Sequence, residues 1–427
     1  MNNFFILIFL LTIFNLTFES KQISTFKPEQ TTIGAMFGFS AAMSNGFSVI
    51  GSPFTNKTGN SEGSVYIFEY QNNQWNQKYE FSPQYSNPEN FFGFSVAIDE
   101  EFVVVGSPNC NDSGTSSGSA YVYQNTDYGW VFFCEILPND SQIGGHFGYS
   151  VDVSGDQIIV GSYGTNESGL NSGSAYIFQQ QEIMWIQKAK FVPADLNSGD
   201  YFGFSVGISN EYAIVGAPHQ SVNGIDSGSA YLFYNNSGSW VQHSKLFASD
   251  GSGYDRFAWS VAIDNSYAVV GAFYHENHGA AYVFQNQNNN WNQIQILTAN
   301  DAFDLDYFGR SVKIHNNFIV VGADGRTDNG ITDSGAAYVF QNSNGNWIQS
   351  AKVVASDAKE NWYFGYAVDV SDDLVIAGAY GADNDGYLTG QMYCYSDFAL
   401  HSSVVSPFFP SSSFFFLFSI FFFFFFF

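Results

Sequence analysis

Large and small residues alternate along short runs of this chain, and each run predicts a β-strand. Residues 202–208 read FGFSVGI, so the large side chains point to one side and Gly, Ser and Gly to the other. A second apolar run, AIVGAP, follows a short turn, a third, SGSAYLF, follows a polar loop, and a fourth opens on Trp240. Four such strands predict one small twisted sheet whose two faces both need a packing partner.

The same unit of four runs recurs along the chain. Its copies are spaced by 51 to 56 residues and begin at Phe37, Phe92, Phe147, Phe202, Phe257, Phe308 and Phe364. A repeat of this period is typical of an architecture built from stacked identical units. Seven four-stranded sheets in a radial arrangement cover each other's apolar faces. The sequence therefore predicts an all-β fold, a seven-bladed β-propeller of four-stranded antiparallel blades.

The two ends of the repeat region predict how the ring closes. Residues 22–28 are in register with the later Trp-led strands, because Pro28 and Pro83 are 55 positions apart, as are the prolines that follow. The last unit ends near Tyr395 with only three runs. We therefore expect the N-terminal strand to pair with the last blade, so that no sheet edge is left free.

Motifs inside the repeats resemble those of a known family. The chain is similar to FG-GAP repeat proteins, the units of the integrin α-subunit propeller, over residues 21–396; the motifs are Phe92-Gly93, Phe147-Gly148, Phe202-Gly203 and Gly216-Ala217-Pro218. The resemblance implies a propeller that binds its ligand on one face. Integrin propellers also hold Ca²⁺ in Asp-rich hairpin loops, but the loop Asp99-Glu100-Glu101 and its equivalents are too short to supply the ligands. We expect no required cofactor, and Ca²⁺ stays an alternative only at other acidic loops.

The loops predict where a ligand binds. The loops between the second and third strands, and those from the fourth strand to the next blade, are long and acidic, and alternating strand directions place both sets on one face. We call this the long-loop face and the opposite side the short-turn face. The resemblance likewise implies binding on the long-loop face. The candidate ligand-binding residues are Tyr254, Tyr274, His275, Asp304, Asp306, Asp324, Asp328, Asp333, Asp383, Asp385 and Tyr387.

Acidic residues in these loops have two interpretations. An Asp recurs at one repeat position as Asp140, Asp195, Asp250, Asp301 and Asp357, where it can cap backbone N–H groups in a turn. Metal binding by the acidic clusters is the alternative. The pattern favours turn capping.

Composition limits the class of function. The chain has 39 acidic and 13 basic residues and a formal charge of −26, which argues against nucleic acid and against unaided binding to anionic lipid. The charge alternatively serves only to keep an aromatic-rich protein soluble. The seven His are scattered and no nucleophile motif occurs. We expect a non-enzymatic surface or secreted protein that binds an extracellular protein, with a carbohydrate-binding lectin as the alternative.

Cysteines and glycosylation motifs fit an extracellular domain. Three cysteines are too few for a disulfide scaffold, but Cys110 and Cys134 lie in one repeat and are candidates for a single bridge. Cys394 is expected to be a buried small residue. Candidate glycosylation sites begin at Asn56, Asn111, Asn139, Asn166 and Asn235. Glycans on Asn56, Asn111, Asn139 and Asn166 would cover the long-loop face over blades one to three and leave that face of blades four to seven free of sugar.

Both ends of the chain lie outside the repeats. Residues 1–20 contain an apolar run that suits a secretory signal peptide, with an uncleaved anchor as the alternative. Residues 397–427 form a Ser- and Phe-rich tail that resembles a GPI-attachment signal with Ser402 as the attachment site. Alternatives are a faulty gene model and a short anchor. These ends predict the secretory pathway and a position outside the cell or on its surface, attached to the membrane only through the C-terminal anchor.

Overall fold

The computed structural model describes residues 20–57, 61–83 and 89–398. These residues form seven antiparallel sheets of four strands each, and they contain one short 3-10 helix, His275–Asn277. The seven-bladed propeller predicted from the repeats is confirmed. The predicted signal peptide lies outside the described residues except for Ser20. The predicted tail, with Ser402, also lies outside them except for Asp397 and Phe398. None of the helical structure in the described part has the length and hydropathy needed to cross a bilayer.

Blades 1 to 3 each contain four consecutive strands. Blade 1 consists of β2 Ser40–Ser44, β3 Phe47–Ser52, β4 Ser64–Gln71 and β5 Gln74–Phe81. Blade 2 consists of β6 Ser95–Ile98, β7 Phe102–Ser107, β8 Ser119–Thr126 and β9 Gly129–Ile136. Blade 3 consists of β10 Ser150–Ser154, β11 Gln157–Ser162, β12 Ser174–Gln181 and β13 Met184–Phe191.

Blades 4 to 6 repeat this arrangement. Blade 4 consists of β14 Ser205–Ser209, β15 Tyr212–Ala217, β16 Ser229–Asn236 and β17 Ser239–Leu246. Blade 5 consists of β18 Ser260–Asp264, β19 Tyr267–Ala272, β20 Ala280–Gln287 and β21 Asn290–Leu297. Blade 6 consists of β22 Ser311–His315, β23 Phe318–Ala323, β24 Ala336–Ser343 and β25 Asn346–Val353.

Blade 7 is built from both ends of the repeat region. Its strands are β26 Val368–Ser371, β27 Leu374–Ala379, β28 Gln391–Ser396 and, as the outer strand, β1 Lys21–Phe26. β1 pairs antiparallel with β28, and Phe26 packs on Phe68 and Trp75 of blade 1 with ring centroids 5.0 and 5.3 Å apart. The predicted closure by the N-terminal strand is confirmed.

The Phe-Gly pair of each repeat joins neighbouring blades. Phe202 is fully buried between blades, and Gly203 follows it with a φ of +89°. A Cβ on Gly203 would lie 2.2 Å from the carbonyl oxygen of Ser174, so the close approach of the two backbones requires glycine there. Ala258 occupies this position in blade 5 and keeps a φ of +70°, a conformation that costs a side chain energy.

In blades 1 to 6 a serine at the start of the innermost strand bonds to the next blade. The Ser205 hydroxyl donates to the carbonyl of Ala258 at 2.9 Å, and the same bond recurs from Ser40, Ser95, Ser150, Ser260 and Ser311. Blade 7 has Ala367 at this position and cannot make the bond. Small residues on the innermost strands thus both permit close blade packing and supply a polar contact.

The two sets of long loops lie together and bond to each other. In adjacent loops Tyr254 N–H donates to Ile225 O at 2.7 Å and Leu305 N–H donates to Asn277 O at 2.8 Å. Equivalent bonds join Gly34 to Tyr387 and Asn361 to Thr332. The long-loop face is therefore held by backbone contacts between loops, which favours a preformed surface.

Candidate ligand-binding face

Seven side chains form a ring around the propeller axis at the long-loop end of the central channel. Each lies two positions after the buried Phe of its repeat; they are Phe39, Phe94, Tyr149, Phe204, Trp259, Arg310 and Tyr366. Neighbouring aromatic members have ring centroids 4.4 to 5.0 Å apart. The Arg310 guanidinium completes the ring, 4.9 Å from the Trp259 centroid and 5.3 Å from that of Tyr366. We call this set the axial ring.

Asp324 lies beside the one cation of the axial ring. Its carboxylate is 4.0 Å from Arg310 Nε, and its Oδ1 atom has no hydrogen-bond partner among the described residues. Burial raises the pKa of Asp324 to about 6, although the Arg310 charge opposes the shift. Asp324 also interacts electrostatically with Asp333, so negative charge gathers at this mouth of the channel.

The channel widens beyond the axial ring. Three positions after each axial-ring residue, four blades carry Ala or Gly, while three carry charged side chains, Asp152, Lys313 and Asp369. Burial raises the pKa of Asp152 and Asp369, and Lys313 opposes both shifts. This cavity of about 590 Å³ reaches the turns of the short-turn face, including Asp264 and His315. Carboxylates outnumber basic side chains in its lining, and Lys313 is the one lysine among them.

Six of the predicted contact residues are exposed on the long-loop face, and four of these six form no ion pair among the described residues. Tyr387 is 71% exposed, and Asp304 is also exposed, without an ion-pair partner in the described chain. Tyr254 and Tyr274 line one groove of about 420 Å³ between the loop that enters blade 5 and the loop that joins its second and third strands. The structure thus brings two of the predicted tyrosines together in a concave site.

Three predicted contact residues, His275, Asp306 and Asp324, are buried below the long-loop face. His275 Nδ1 lies 3.0 Å from the Asp255 carboxylate, and this hydrogen bond raises the pKa of His275. Asp306 accepts hydrogen bonds from Arg326 and from Phe303 N–H, both at 2.8 Å. Asp324 faces Arg310. Each of these groups positions a loop or the axial ring from below the surface.

Three further predicted contacts are engaged in ion pairs. Asp328 pairs with Lys352 at 2.5 Å, Asp383 pairs with Lys359 at 2.7 Å, and Asp385 pairs with Lys27 of the N-terminal segment. Asp333 is half-buried with a φ of +48° at a loop bend. A partner that used the first three carboxylates would have to compete with lysines already in place.

The recurring Asp has a different role from the turn capping predicted for it. Asp195, Asp250, Asp301 and Asp357 accept hydrogen bonds from the hydroxyl of a third-strand Tyr, at 2.7 to 3.0 Å. Backbone N–H groups in these loops are instead capped by Asp200, Asp255 and Asp306. The sequence did not separate the two sets because the Tyr partner is more than 30 residues away.

The sequence interpretation missed several exposed apolar residues on the long-loop face. Phe303 is 71% exposed, and Ile33, Ile225 and Leu305 are exposed too. Each interrupts an otherwise polar loop, which is the signal that could have identified it. Together with Tyr254 and Tyr387 they make the loops of blades 4 to 7 more apolar than their charge suggests.

The predicted bridge between Cys110 and Cys134 is absent, because all three cysteines are free thiols. Cys110 Sγ lies 3.6 Å from the hydroxyl of Tyr121, which packs towards blade 1. Cys134 is paired across the strands with Val122 and packs towards blade 3. The two thiols are on opposite sides of their sheet. Cys394 is buried, as predicted.

Four of the candidate glycosylation residues are exposed on loops. Asn111 Oδ1 accepts a hydrogen bond from Ser116 N–H at 2.7 Å, and Asn166 Oδ1 accepts one from Asn171 N–H at 2.8 Å. These two bonds do not use the side-chain nitrogen, to which a glycan would be attached. Asn56 and Asn139 are exposed as well. Asn235 is half-buried in a hairpin of the short-turn face. Glycosylation itself stays a prediction.

Comparison with known families matches the repeats directly. The family model described as FG-GAP repeat matches residues 75–123, 130–178, 185–233, 240–284, 291–340 and 347–395, which together make up more than half of the chain. Each match runs from the Trp-led outer strand of one blade to the third strand of the next. A search of curated proteins found no match.

Proposed function

Because the chain belongs to the FG-GAP repeat family, we propose that it is a non-enzymatic binding protein that acts outside the cell or on its surface. Its partner is a protein, and the binding surface is the long-loop face of blades 4 to 7. We define this surface by its exposed residues Ile33, Ile225, Tyr254, Tyr274, Phe303, Asp304, Leu305 and Tyr387, and call it the loop patch.

One observation carries the proposal: the loop patch combines large exposed apolar side chains with loops that are fixed by backbone hydrogen bonds. Tyr254 and Leu305 project from loops whose N–H groups at those residues bond to the neighbouring loop. Rigid aromatic residues contribute binding energy at a low entropy cost. The groove between Tyr254 and Tyr274 is suited to receive a side chain of the partner.

Charge favours a basic partner. The chain carries a formal charge of −26, and Asp304 is exposed beside Phe303 in the loop patch. A positively charged partner surface would be attracted over a distance set by the ionic strength. Binding should therefore weaken as salt is raised.

Display of the purified full chain on an extracellular protein array and on a glycan array tests the proposal. We expect protein partners whose binding weakens between low and physiological salt. Binding only to glycans would replace the protein partner with a lectin function. Turnover of a substrate by the purified chain would contradict the non-enzymatic assignment.

A further inference from the structure

The junction between the second and third strands carries the same cluster of side chains in each blade, and blade 2 differs from the rest. The first member of the cluster follows the second strand, and its backbone carbonyl accepts a hydrogen bond from the N–H of the Gly that precedes the third strand. From blade 1 to blade 7 this residue is Thr55, Cys110, Thr165, Gln220, His275, Arg326 and Ala382. The second member lies on the outer strand, opposite the third-strand Tyr. In blades 1 to 6 it is Glu80, Glu135, Lys190, Lys245, Ile296 and Lys352.

In the other blades a basic side chain balances the carboxylates of this cluster. Lys190 bonds Asp140 and Glu167, both at 2.5 Å, and Lys245 bonds Asp195 at 2.6 Å. Blade 1, which also has a Glu on its outer strand, pairs Glu80 with Lys57 at 2.6 Å. The basic residue is His275 in blade 5 and Lys359 in blade 7, and blade 6 has both Arg326 and Lys352; each of them pairs with an Asp.

Blade 2 has the carboxylates but no basic residue. Ligand atoms of Cys110, Asp112 and Glu135 all lie within 4.8 Å of one another, and Cys110 Sγ donates to Asp112 at 2.9 Å. Among the described residues no Lys, Arg or His forms an ion pair with Asp112 or Glu135, and residues 84–88, which are outside the described part, include no basic residue in the sequence. Two carboxylates and a thiol thus share one small volume without a counterion.

A buried serine in the same cluster is also without a partner. Ser119 is fully buried, and its hydroxyl makes no hydrogen bond among the described residues, although it lies close enough to Cys110 and Glu135 to interact with both. The equivalent serines are bonded: Ser64 to Ser82 at 3.2 Å, Ser174 to Thr165 at 2.7 Å, and Ser229 to Gln220. A buried hydroxyl that lacks a hydrogen bond needs a structural explanation, and coordination to an ion or a water is one such explanation.

We propose that Cys110, Asp112 and Glu135 bind a divalent transition-metal cation of the Zn²⁺ class, with the Ser119 hydroxyl or a water molecule in the fourth position. A thiolate ligand selects softer cations over Ca²⁺ and Mg²⁺, and thiolate with two carboxylates is compatible with four-coordinate Zn²⁺. Without the cation, the Cys110 thiol donates its proton in a hydrogen bond to Asp112. Binding of the cation releases this proton to solvent. The bound cation takes the place that lysine holds in blades 3, 4 and 6.

The site has an entry path from solvent. A cavity of about 380 Å³ opens beside Asp112 and Glu135 and is otherwise lined mainly by aromatic residues, among them Phe81, Tyr121 and Phe132. Both carboxylates are exposed, whereas Cys110, whose Sγ atom donates to Asp112 at 2.9 Å, is buried. A hydrated cation can therefore reach the carboxylates first and the sulfur last.

Titration of the purified full chain with Zn²⁺ against a chromogenic chelator tests the proposal. We expect one Zn²⁺ per chain for the wild type, and binding weakened at least about 100-fold in Cys110→Ser and in Glu135→Lys. Glu135→Lys recreates the residue that blades 3, 4 and 6 carry at this position and so should fold. Cys134→Ser and Glu101→Lys are matched controls in the same blade and should bind as the wild type does.

A spectroscopic readout identifies the sulfur ligand. Co²⁺ bound to the wild type should give a thiolate-to-metal charge-transfer band that Cys110→Ser lacks and Cys134→Ser keeps. Zn²⁺ should also raise the Tm of the wild type but not that of Glu135→Lys. The proposal is overturned if the wild type binds no Zn²⁺, or if Cys110→Ser and Glu135→Lys bind it as tightly as the wild type.

Discussion

The two ends of the central channel are built from the same repeat but differ in chemistry. At the long-loop end, six aromatic side chains and Arg310 meet around the axis. Three residues further along each innermost strand, four blades carry Ala or Gly and the other three carry Asp152, Lys313 and Asp369. The repeat fixes which positions face the axis. The residues at these two positions then decide whether a mouth is lined mainly by aromatic rings or by small and charged side chains.

Both mouths depend on a closed ring, so opening the ring should have the largest effect. A variant that lacks residues 21–29 loses the pairing of β1 with β28 and the burial of Phe26. We expect the free energy of unfolding to fall by at least about 4 kcal/mol, from lost hydrogen bonds and apolar burial. Denaturant unfolding measures this. Lys21→Ala, at the exposed start of β1, is the control and should be neutral; an unchanged Tm after the deletion would refute closure by β1.

The aromatic mouth should show a pH dependence that comes from Asp324. Its folded pKa of about 6 is above the value of 3.8 expected when unfolded, so the folded state binds the extra proton between about pH 4 and 6. Stability should therefore fall as pH rises through this window, by up to about 3 kcal/mol relative to Asp324→Asn. Unfolding curves of the two proteins from pH 4 to 7 measure the difference. A constant difference across the window would contradict the burial of this carboxyl.

The charged end should depend on its single lysine. In Lys313→Met the carboxylates of Asp152 and Asp369 lose their nearby cation, and we expect a loss of about 2 kcal/mol at pH 7. Because burial raises both carboxyl pKa values, the loss should shrink when the pH is lowered and the groups take up protons. Lys359→Met removes an exposed ion pair and is the control, with an expected change below about 0.5 kcal/mol. Equal losses from the two variants would show that Lys313 does not balance the buried charges.

Much of the fold could be predicted from the sequence because it is specified by repetition. The period placed every blade, and the register of Pro28 with later prolines placed β1 in blade 7. The roles of individual loop residues could not be predicted in this way. Asp306 is buried because Arg326, twenty positions later, reaches it from the next loop, whereas Asp304 is exposed two positions earlier. Cys110 and Cys134 share a blade, but the sides of the sheet they face depend on local geometry.

Variants on each face of the propeller test most directly whether the loop patch binds the partner. We would measure the Kd of an identified protein partner for the wild type, for the triple variant Tyr254→Ser, Phe303→Ser and Tyr387→Ser, and for the control Tyr128→Ser with Ile183→Ser. The control residues lie in hairpin turns of the short-turn face and are 94% and 80% exposed, so both sets remove exposed apolar groups. We predict at least about 100-fold weaker binding for the triple variant, which corresponds to about 3 kcal/mol, and no change for the control. Weakened binding by the control with an unaffected triple variant would place the binding surface on the short-turn face and contradict binding by the loop patch.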